Sequence, residues 1–249
     1  MTTTPIRVAV IGARGRMGSA VCAAVDAAPD LEAGPRLDVG DDLDAVAGSD
    51  VAVVFSVPDV AVDHVRTCVR HGVHAVVGTT GWTADRLDRV RAALADAPGV
   101  GVLVAPNFAL GAVLLMRFAA LAAPHYESVE IVELHHPDKV DAPSGTARHT
   151  AELVAAARRD AGAPAMPDAT STGLDGARGA DVDGVRVHSV RLRGLVAHEE
   201  VLLGAPGEQL TLRHDSFDRA SFMPGVLLGV RRIGSRPGLT VGLEHLLDL

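Results

Sequence analysis

Two adjacent histidines and a lysine stand together in the segment His135–Lys139, and a short polar run, Ser144–Thr146, follows them. An imidazole can donate or accept a proton near neutral pH, and a lysine adds a positive charge and a second proton donor. The run Ser144–Thr146 opens a helical pattern, so the first amide groups of that helix and the two hydroxyls form a carboxylate-sized anion site. The spacing therefore predicts a loop that binds a small anionic substrate and gives it a proton.

A second motif lies near the N-terminus, where three glycines follow a short apolar run. Gly12, Gly15 and Gly18 have the spacing G-x-x-G-x-x-G, which departs from the stricter G-x-G-x-x-G of dinucleotide-binding loops. Asp38 stands 20 residues after Gly18, where an acid commonly accepts hydrogen bonds from ribose hydroxyls. The position of the loop therefore favours a dinucleotide site over an ordinary glycine turn.

Some residues around this loop favour NADH as the cofactor, and others favour NADPH. Asp38 would repel a 2′-phosphate, and Val39 stands where an arginine could have paired with one. Arg14 and Arg16, in the glycine loop itself, could nevertheless reach that phosphate. We therefore expect the chain to use NADH and/or NADPH, with some preference for NADH.

Two later segments each follow a predicted strand. They are Gly78–Gly81, with two threonines between the glycines, and Ala105–Phe108. Ligands gather beyond the carboxyl ends of strands in open parallel sheets, which favours a binding role for both segments. A capped turn without a ligand is the alternative for each.

The first hundred residues alternate between short β-branched runs and alanine-rich helical stretches. The predicted strands are Arg7–Ile11, Val51–Phe55, Ala75–Val77 and Gly101–Val104, and the predicted helices are Arg16–Ala28, Asp59–His71 and Thr83–Ala95. Such alternation is typical of parallel βαβ units whose strands are buried on both faces. The fold class predicted is α/β, with an N-terminal Rossmann-type parallel sheet.

The pattern changes after Pro106. The predicted elements are a helix at Leu110–Ala122, a strand at Val129–Leu134, a helix at Thr146–Arg159, a loop at Asp160–Gly184, and strands at Val185–Leu192, Leu195–Gly204 and Gln209–His214. Short turns containing glycine predict a mostly antiparallel sheet, and hence a second, α+β domain. A final helix, Arg219–Arg232, and the tail Leu239–Leu249 are expected to return to the first domain. We assign residues 1–108 and 219–249 to dinucleotide binding, and residues 109–218 to substrate binding and oligomerisation.

Composition argues against several functions. A net charge of −8 and an aromatic content of 3% are atypical of nucleic-acid binding, and no apolar run is long enough for a membrane span. The residues before Ile6 leave no room for a signal peptide, and Cys22 and Cys68 fall in apolar helical stretches as buried free thiols, so a cytoplasmic protein is expected. No metal is expected, because no acid or cysteine completes the histidine pair and Lys139 would repel a cation.

Several motifs, in order along nearly the whole chain, resemble the dihydrodipicolinate reductase family, also called 4-hydroxy-tetrahydrodipicolinate reductases. They are Gly15-Arg16-Met17-Gly18, Gly78-Thr79-Thr80-Gly81, Ala105-Pro106-Asn107-Phe108, and His135-His136-x-x-Lys139 continuing to Pro143-Ser144-Gly145-Thr146-Ala147. The last motif is long and hard to reach by chance. The resemblance implies reduction of 4-hydroxy-tetrahydrodipicolinate by NADH or NADPH in lysine and diaminopimelate biosynthesis. It also implies a small dicarboxylate substrate and, usually, a homotetramer built through the sheet of the second domain.

The resemblance also implies roles for individual residues. By position, His135 is the catalytic acid/base, Lys139 is the second proton donor, and His136, Gly145 and Thr146 bind the substrate carboxylates. The residues that would line the cofactor are Gly12, Ala13, Arg14, Gly15, Arg16, Met17, Asp38, Gly78, Thr79, Thr80, Ala105, Pro106, Asn107 and Phe108. Asp138 stands where many members carry a third histidine, and it would lower the positive charge of the loop or pair with Lys139 or a histidine.

Two other functions stay open from the residues alone. One is a different two-domain dehydrogenase acting on an amino or keto acid, similar to an aspartate dehydrogenase. The other is an inactive dinucleotide sensor, which would have no use for the proton donors and carboxylate site of His135–Thr146. Arg191 and Arg193 alternate with apolar neighbours on one predicted strand and are left without a role.

Overall fold

The computed structural model describes residues 4–247 and divides them into two compact units. The first unit extends to Leu110 and takes up the chain again from Arg219, and the second is Gly111–Asp218. Residues 248–249 of the predicted C-terminal tail lie outside the described residues.

A six-stranded, all-parallel sheet forms the centre of the first unit. Its strands are β1 (Ile6–Ile11), β2 (Leu31–Leu37), β3 (Val51–Val54), β4 (His74–Val77), β5 (Gly101–Val104) and, last in the chain, β11 (Gly238–Val241). The helices α1 (Arg16–Ala27), α2 (Pro58–Arg70) and α3 (Ala84–Ala95) alternate with these strands, and α6 (Met223–Arg232) precedes β11. The predicted Rossmann-type α/β fold is confirmed.

The order of the strands is β11-β5-β4-β3-β1-β2. The interior strands β3 and β5 are buried along their whole length, which explains why their sequences are continuously apolar rather than alternating. The edge strand β2 contains Gly34 and Pro35, and a proline is tolerated there because an edge strand leaves one side of its ladder unpaired.

A five-stranded mixed sheet forms the centre of the second unit. Its strands are β6 (Ser128–His135), β7 (Ala180–Val182), β8 (Val185–Arg191), β9 (Ala197–Ala205) and β10 (Glu208–Ser216), in the order β10-β9-β6-β8-β7. The helices are α4 (Leu110–Ala122) and α5 (Gly145–Asp160). The pair β6 and β8 is parallel and the other three pairs are antiparallel, so the α+β character predicted for this region is confirmed.

Two details of this sheet differ from the sequence prediction. The strands β8 and β9 are not joined as a hairpin, because β6 lies between them. The predicted loop Asp160–Gly184 contains the strand β7, which is too short to show a periodicity of its own. The turn after β7 has φ angles of +52° at Asp183 and +87° at Gly184, as two-residue hairpin turns require.

One face of the second sheet forms the core of its unit. Ile131 of β6, Val187 of β8 and Val201 of β9 pack with Ala151 and Val154 of α5, and all five side chains are buried. Because side chains alternate along a strand, Glu133 continues this buried face beyond Ile131. The sheet therefore carries an acidic side chain at the end of its apolar face, next to the end of β6.

The two cysteines and the lengths of the helices bear on two further expectations. Cys22 and Cys68 are both buried and free, which confirms the prediction for the two thiols. Across residues 4–247, no helix combines the length and the apolar character that a bilayer crossing requires.

Candidate active site

The carboxyl ends of β1, β4 and β5 are followed by the three segments predicted to bind the cofactor. Gly12–Met17 follows β1, Gly78–Thr80 follows β4, and Ala105–Phe108 follows β5. These strands run parallel in one sheet, so the three segments lie along the same edge. This is the edge at which open α/β sheets bind ligands.

The glycine loop packs too closely for side chains. Gly12 has a φ of +86°, and a Cβ atom there would lie 2.5 Å from the carbonyl oxygen of Phe55. A Cβ atom at Gly18 would lie 1.9 Å from the carbonyl oxygen of Gly12. Gly15 is the N-cap of α1, and no side chain among the described residues caps this helix. A glycine loop against an uncapped helix start fits a dinucleotide phosphate, which needs backbone amides within contact distance.

Asp38, which follows β2, is held against the glycine loop. Its carboxylate accepts hydrogen bonds from the amide of Val39 at 2.8 Å and from the amide of Arg14 at 2.7 Å. These two bonds hold the pKa of Asp38 below its usual range, so the side chain is an anion at neutral pH. The guanidinium of Arg14 lies 3.8 Å from Asp38 and 3.6 Å from Asp41. The acids at this strand end therefore oppose a 2′-phosphate, and Arg14 is already engaged by them.

The other two segments are fixed by local hydrogen bonds. The hydroxyl of Thr79 donates to the carbonyl of Ser56 at 3.0 Å, and the carbonyl of Thr79 accepts from the indole of Trp82 at 2.8 Å. The side-chain oxygen of Asn107 accepts from the amide of Ala109 at 2.8 Å. Both segments are thus held by local hydrogen bonds, and their contact with a cofactor stays a prediction.

The loop between β6 and α5 brings the predicted catalytic residues together in the second unit. His135 is the last residue of β6, and Gly145 is the first residue of α5. The side chain of His135 is 14% exposed and that of Lys139 is 22% exposed, so each is largely sheltered but reachable. His136 is exposed.

Glu133 lies under this loop and is the main residue that the sequence analysis missed. Its side chain is fully buried, with a relative exposure of 0%. One carboxylate oxygen accepts from Nδ1 of His135 at 2.5 Å, and Arg191 donates to both oxygens at 2.7 Å. The other oxygen also accepts from the amide of Ser144 at 3.0 Å. Burial alone would raise the pKa of Glu133, but these hydrogen bonds hold it well below its usual range. Glu133 is therefore a buried anion.

Lys139, predicted as the second proton donor, and Gly145, predicted to bind a substrate carboxylate, together hold a carboxylate of the chain itself. Lys139 donates from Nζ to one oxygen of Asp141 at 2.6 Å, and the amide of Gly145 donates to the other oxygen at 3.1 Å. The bond from Lys139 holds the pKa of Asp141 below its usual range. Lys139 thus pairs with Asp141 and not with Asp138. An ammonium and a helix-start amide lie at the right separation to share one carboxylate.

A second buried acid lies beside Glu133. Glu199 of β9 is the cross-strand partner of Glu133, and burial raises its pKa to about 7. The hydroxyl of Thr150 lies 2.6 Å from Glu199 and 3.0 Å from the carbonyl of Thr146. A hydroxyl has one proton, so if Thr150 donates to Thr146, then a protonated Glu199 donates to Thr150. This chain of hydrogen bonds anchors the first turn of α5.

The sequence held a signal for part of this arrangement. Glu133 precedes His135 by two residues on a strand, which places both side chains on one face of the sheet. Arg191 was noticed as an alternating arginine but had no partner, because the parallel pairing that sets it opposite His135 joins residues 56 positions apart. Glu199 gave no signal, since its burial follows from the pairing of β9 with β6.

The chain matches two family models in succession. Residues 6–108 match the model described as "Dihydrodipicolinate reductase, N-terminus", and residues 111–247 match "Dihydrodipicolinate reductase, C-terminus". Together the two models cover most of the chain.

Individual relatives agree with these models. The chain is 63% identical to the 4-hydroxy-tetrahydrodipicolinate reductase of Streptomyces coelicolor over 98% of both chains. It is 65% identical to the enzyme of the same name from Nocardia farcinica, over 98% of this chain and 99% of that one. A solved structure of a dipicolinate-bound dihydrodipicolinate reductase from Paenisporosarcina sp. TG-14 superposes with a TM-score of 0.86 at 37% identity, covering 98% of this chain and all of that one. The chain belongs to the dihydrodipicolinate reductase family.

Proposed function

We propose that this protein reduces 4-hydroxy-tetrahydrodipicolinate to tetrahydrodipicolinate with NADH or NADPH, in lysine and diaminopimelate biosynthesis. The balanced reaction consumes the substrate, one reduced nicotinamide and one proton, and it releases tetrahydrodipicolinate, the oxidised nicotinamide and one water. The observation that carries the proposal is the arrangement of His135, Lys139 and Gly145. A sheltered imidazole precedes an ammonium and an amide that already share a carboxylate. A dicarboxylate that must be protonated needs these groups together.

The second unit performs the acid–base work in this proposal. His135 donates a proton from the ring nitrogen that does not face Glu133, and Lys139 is the second proton donor. His136, Gly145 and Thr146 bind the substrate carboxylates, with the amide of Gly145 as the first donor at the start of α5. Because Asp141 holds both Lys139 and Gly145, its carboxylate gives way when a substrate carboxylate binds. This exchange replaces one anion by another and leaves the charge of the loop balanced.

The first unit holds the cofactor in this proposal, and the bound reduced nicotinamide supplies the hydride. Asp38 accepts hydrogen bonds from the adenosine ribose, and the amides at the start of α1 bind the pyrophosphate. The residues that line the cofactor are Gly12, Ala13, Arg14, Gly15, Arg16, Met17, Asp38, Gly78, Thr79, Thr80, Ala105, Pro106, Asn107 and Phe108. The anionic Asp38 and the neighbouring Asp41 favour NADH over NADPH.

The reaction is tested with purified protein and substrate generated in place from pyruvate and aspartate semialdehyde by the synthase that precedes this step. Loss of NADH or NADPH absorbance is followed for the wild type and for His135→Gln. We expect wild-type turnover and a loss of at least about 100-fold in kcat for the variant, because general acid catalysis contributes that much. His149→Gln is the matched control, since His149 is an exposed histidine on α5 outside the proposed site.

Each outcome of this test has a meaning of its own. If the wild type consumes neither cofactor, the proposed reaction is wrong. If the wild type is active and His135→Gln is equally fast, the reaction stands and His135 is removed from the chemistry. A loss in His149→Gln as large as that in His135→Gln would point to a general effect on the fold.

We also propose that the protein is cytoplasmic and that it forms a homotetramer through the second sheet. The face of this sheet opposite α5 carries Val132, Leu134 and Leu202, which are only half-buried within one chain. Burial of such apolar side chains between subunits would stabilise an assembly. Sedimentation equilibrium at micromolar concentration should give four times the mass of the chain, and a monomer would contradict the proposal.

A further inference from the structure

We infer that Glu133, held by Arg191, is a positioning residue that fixes which nitrogen of His135 carries out proton transfer. Glu133 also connects the ring of His135 to the start of α5. This inference rests on the proposed function, because it concerns how the imidazole of that reaction is held. Glu133 and Arg191 are assigned no contact with the substrate. They act through His135 and through the loop that carries Lys139.

The contact with Glu133 fixes the tautomer of His135. Nδ1 of the ring lies 2.5 Å from Oε2 of Glu133. An ionised carboxylate has no proton to donate, so Nδ1 must be the protonated nitrogen in the neutral ring. Nε2 is then the nitrogen that exchanges a proton with the substrate. Without Glu133, the neutral ring would be free to place its proton on Nε2 instead.

Glu133 stays ionised although its side chain has no exposure to solvent, because strong donors surround it. Arg191 donates to both carboxylate oxygens at 2.7 Å, a two-pronged contact that only a guanidinium can make. The amide of Ser144 adds a further donor at 3.0 Å. A buried carboxylate with these partners is more stable charged than neutral.

Glu133 and Arg191 also hold the loop between β6 and α5 at several points. Glu133 binds His135 at the beginning of the loop and the amide of Ser144 at its end. Arg191 also donates to the backbone carbonyl of Asp141 at 2.7 Å, in the middle of the loop. One ion pair therefore sets the distance between the proton donor and the helix start that is proposed to bind a carboxylate. A displaced Glu133 would loosen both at once.

The position of the ion pair follows from the register of the sheet. Arg191 of β8 is the parallel partner of His135, and Ser189 of β8 is the partner of Glu133. All four side chains thus belong to one face at the carboxyl ends of β6 and β8. A shift of one residue in this pairing would send Arg191 to the other face and leave Glu133 buried without a counter-charge.

A matched control exists three residues earlier on the same strand. Glu130 accepts from Nε2 of His188 at 2.7 Å and pairs with Arg178, so it repeats the carboxylate, histidine and arginine combination. Because the separation from Glu133 is odd, Glu130 lies on the opposite face of the sheet. Glu130→Gln removes an equivalent ion pair without touching His135.

The first experiment measures the tautomer directly. Protein labelled with ¹⁵N in its histidine rings is studied by NMR at a pH at which His135 is neutral, and the His135 signals are identified by their loss in His135→Gln. We expect the wild-type ring to be protonated at Nδ1. A ring protonated at Nε2 would overturn the inference, and this result needs no variant of Glu133 to fold.

The second experiment compares Glu133→Gln with Glu130→Gln in the reductase assay. Glu133→Gln should lower kcat at least about tenfold and leave the KM for NADH unchanged. In the ¹⁵N-labelled protein it should also move the proton of the neutral His135 ring toward Nε2, because the amide of glutamine can itself donate to Nδ1. Glu130→Gln should behave as wild type. Thermal unfolding shows whether both variants fold.

A purely structural role for Glu133 would lower stability but would not change the tautomer of His135. If folded Glu133→Gln keeps the wild-type tautomer and kcat, the inference is wrong. Wild-type turnover in the same assay would still support the proposed function, so the two failures are distinguishable.

Discussion

The glycine loop of the first unit brings backbone atoms together because Gly12 and Gly18 carry no side chains. The loop of the second unit brings charged groups together because Glu133 is buried beneath it and paired with Arg191. In the first site, volume is the critical quantity, since one added methyl group meets a carbonyl oxygen. In the second site, charge is the critical quantity, because a buried carboxylate such as that of Glu133 is costly when its partner Arg191 is removed. The two regions should therefore respond to different kinds of substitution.

Within the second unit, two buried acids on neighbouring strands make a finer comparison. Glu133 and Glu199 are cross-strand partners, and both are shielded from solvent. Glu133 accepts from a guanidinium and an amide and is ionised, whereas the side-chain partner of Glu199 among the described residues is the hydroxyl of Thr150, and burial raises the pKa of Glu199 to about 7. Burial alone therefore does not decide the charge of an acid. The donors that reach it decide.

The largest effect is expected for Gly18→Ala. The added Cβ atom would lie 1.9 Å from the carbonyl oxygen of Gly12, and neither backbone segment can give way by the required distance. We expect a loss of about 3 kcal/mol or more in the free energy of unfolding and a loss of NADH binding. Urea denaturation and fluorescence titration with NADH measure the two effects.

Gly145→Ala is the matched control for this prediction. No atom lies within 4 Å of a Cβ atom at Gly145, which is the first residue of α5. The free energy of unfolding and the Kd for NADH should both stay at wild-type values. If Gly18→Ala and Gly145→Ala lose equal amounts of stability and of NADH affinity, the proposed difference between the glycine loop and the loop of the second unit is wrong.

The next effect is a pH dependence of stability that comes from Glu199. Its pKa is raised from 4.5 to about 7, so between these values the folded protein binds more protons than the unfolded chain. The stability contributed by the neutral acid is complete below pH 4.5 and is lost as the pH rises through 7. Glu199→Gln removes this loss, and the variant should gain most of about 3 kcal/mol relative to wild type between pH 5 and pH 8.

Urea denaturation at the two pH values tests this prediction, with Glu200→Gln as the control. Glu200 is the next residue of β9 but pairs with Arg213 on the other face of the sheet. If wild type and Glu199→Gln depend on pH in parallel, Glu199 is ionised in the folded protein, and the contrast with Glu133 is wrong.

A smaller effect is expected for Asp38→Ala in the first unit. Loss of the carboxylate removes a hydrogen-bond acceptor for the ribose hydroxyls and a charge that opposes a 2′-phosphate. The KM for NADH should rise about tenfold more than the KM for NADPH. Asp42→Ala is the control, because its carboxylate bonds the amide of Asp44 and not the glycine loop. A larger rise for NADPH would overturn the assignment of Asp38 to the ribose.

The smallest effect is expected for Asp141→Asn. A neutral amide binds Lys139 more weakly than a carboxylate does, so the substrate carboxylate should displace it more easily. We expect the KM for the dicarboxylate to fall by a factor of about three, with the KM for NADH unchanged. A rise in the KM for the dicarboxylate would mean that Asp141 orients Lys139 for binding instead of competing for it.

Local sequence was sufficient for most of the elements. The four strands and three helices predicted in the first hundred residues begin and end within one or two residues of their predicted bounds, because buried parallel strands and amphipathic helices have clear patterns. The final helix was predicted from Arg219 but begins at Met223, and the strands β2 and β11 were not predicted with bounds. The second sheet was harder to predict. Its strand order places β6 between β8 and β9, and no local pattern specifies which strand pairs with which.

The sequence by itself determined the chemistry that this protein carries, since the histidine pair, Lys139 and the glycines are the same groups in any conformation. Tertiary structure alone decided which buried acids beside these groups are ionised and which side chains hold them in place. Arg191 reaches Glu133 only because β8 pairs in parallel with β6, and burial raises the pKa of Glu199 to about 7 only because β9 pairs with the other edge of β6. The ionisation of a side chain depends on the solvent and donors around it, and those come from strands that are distant in sequence.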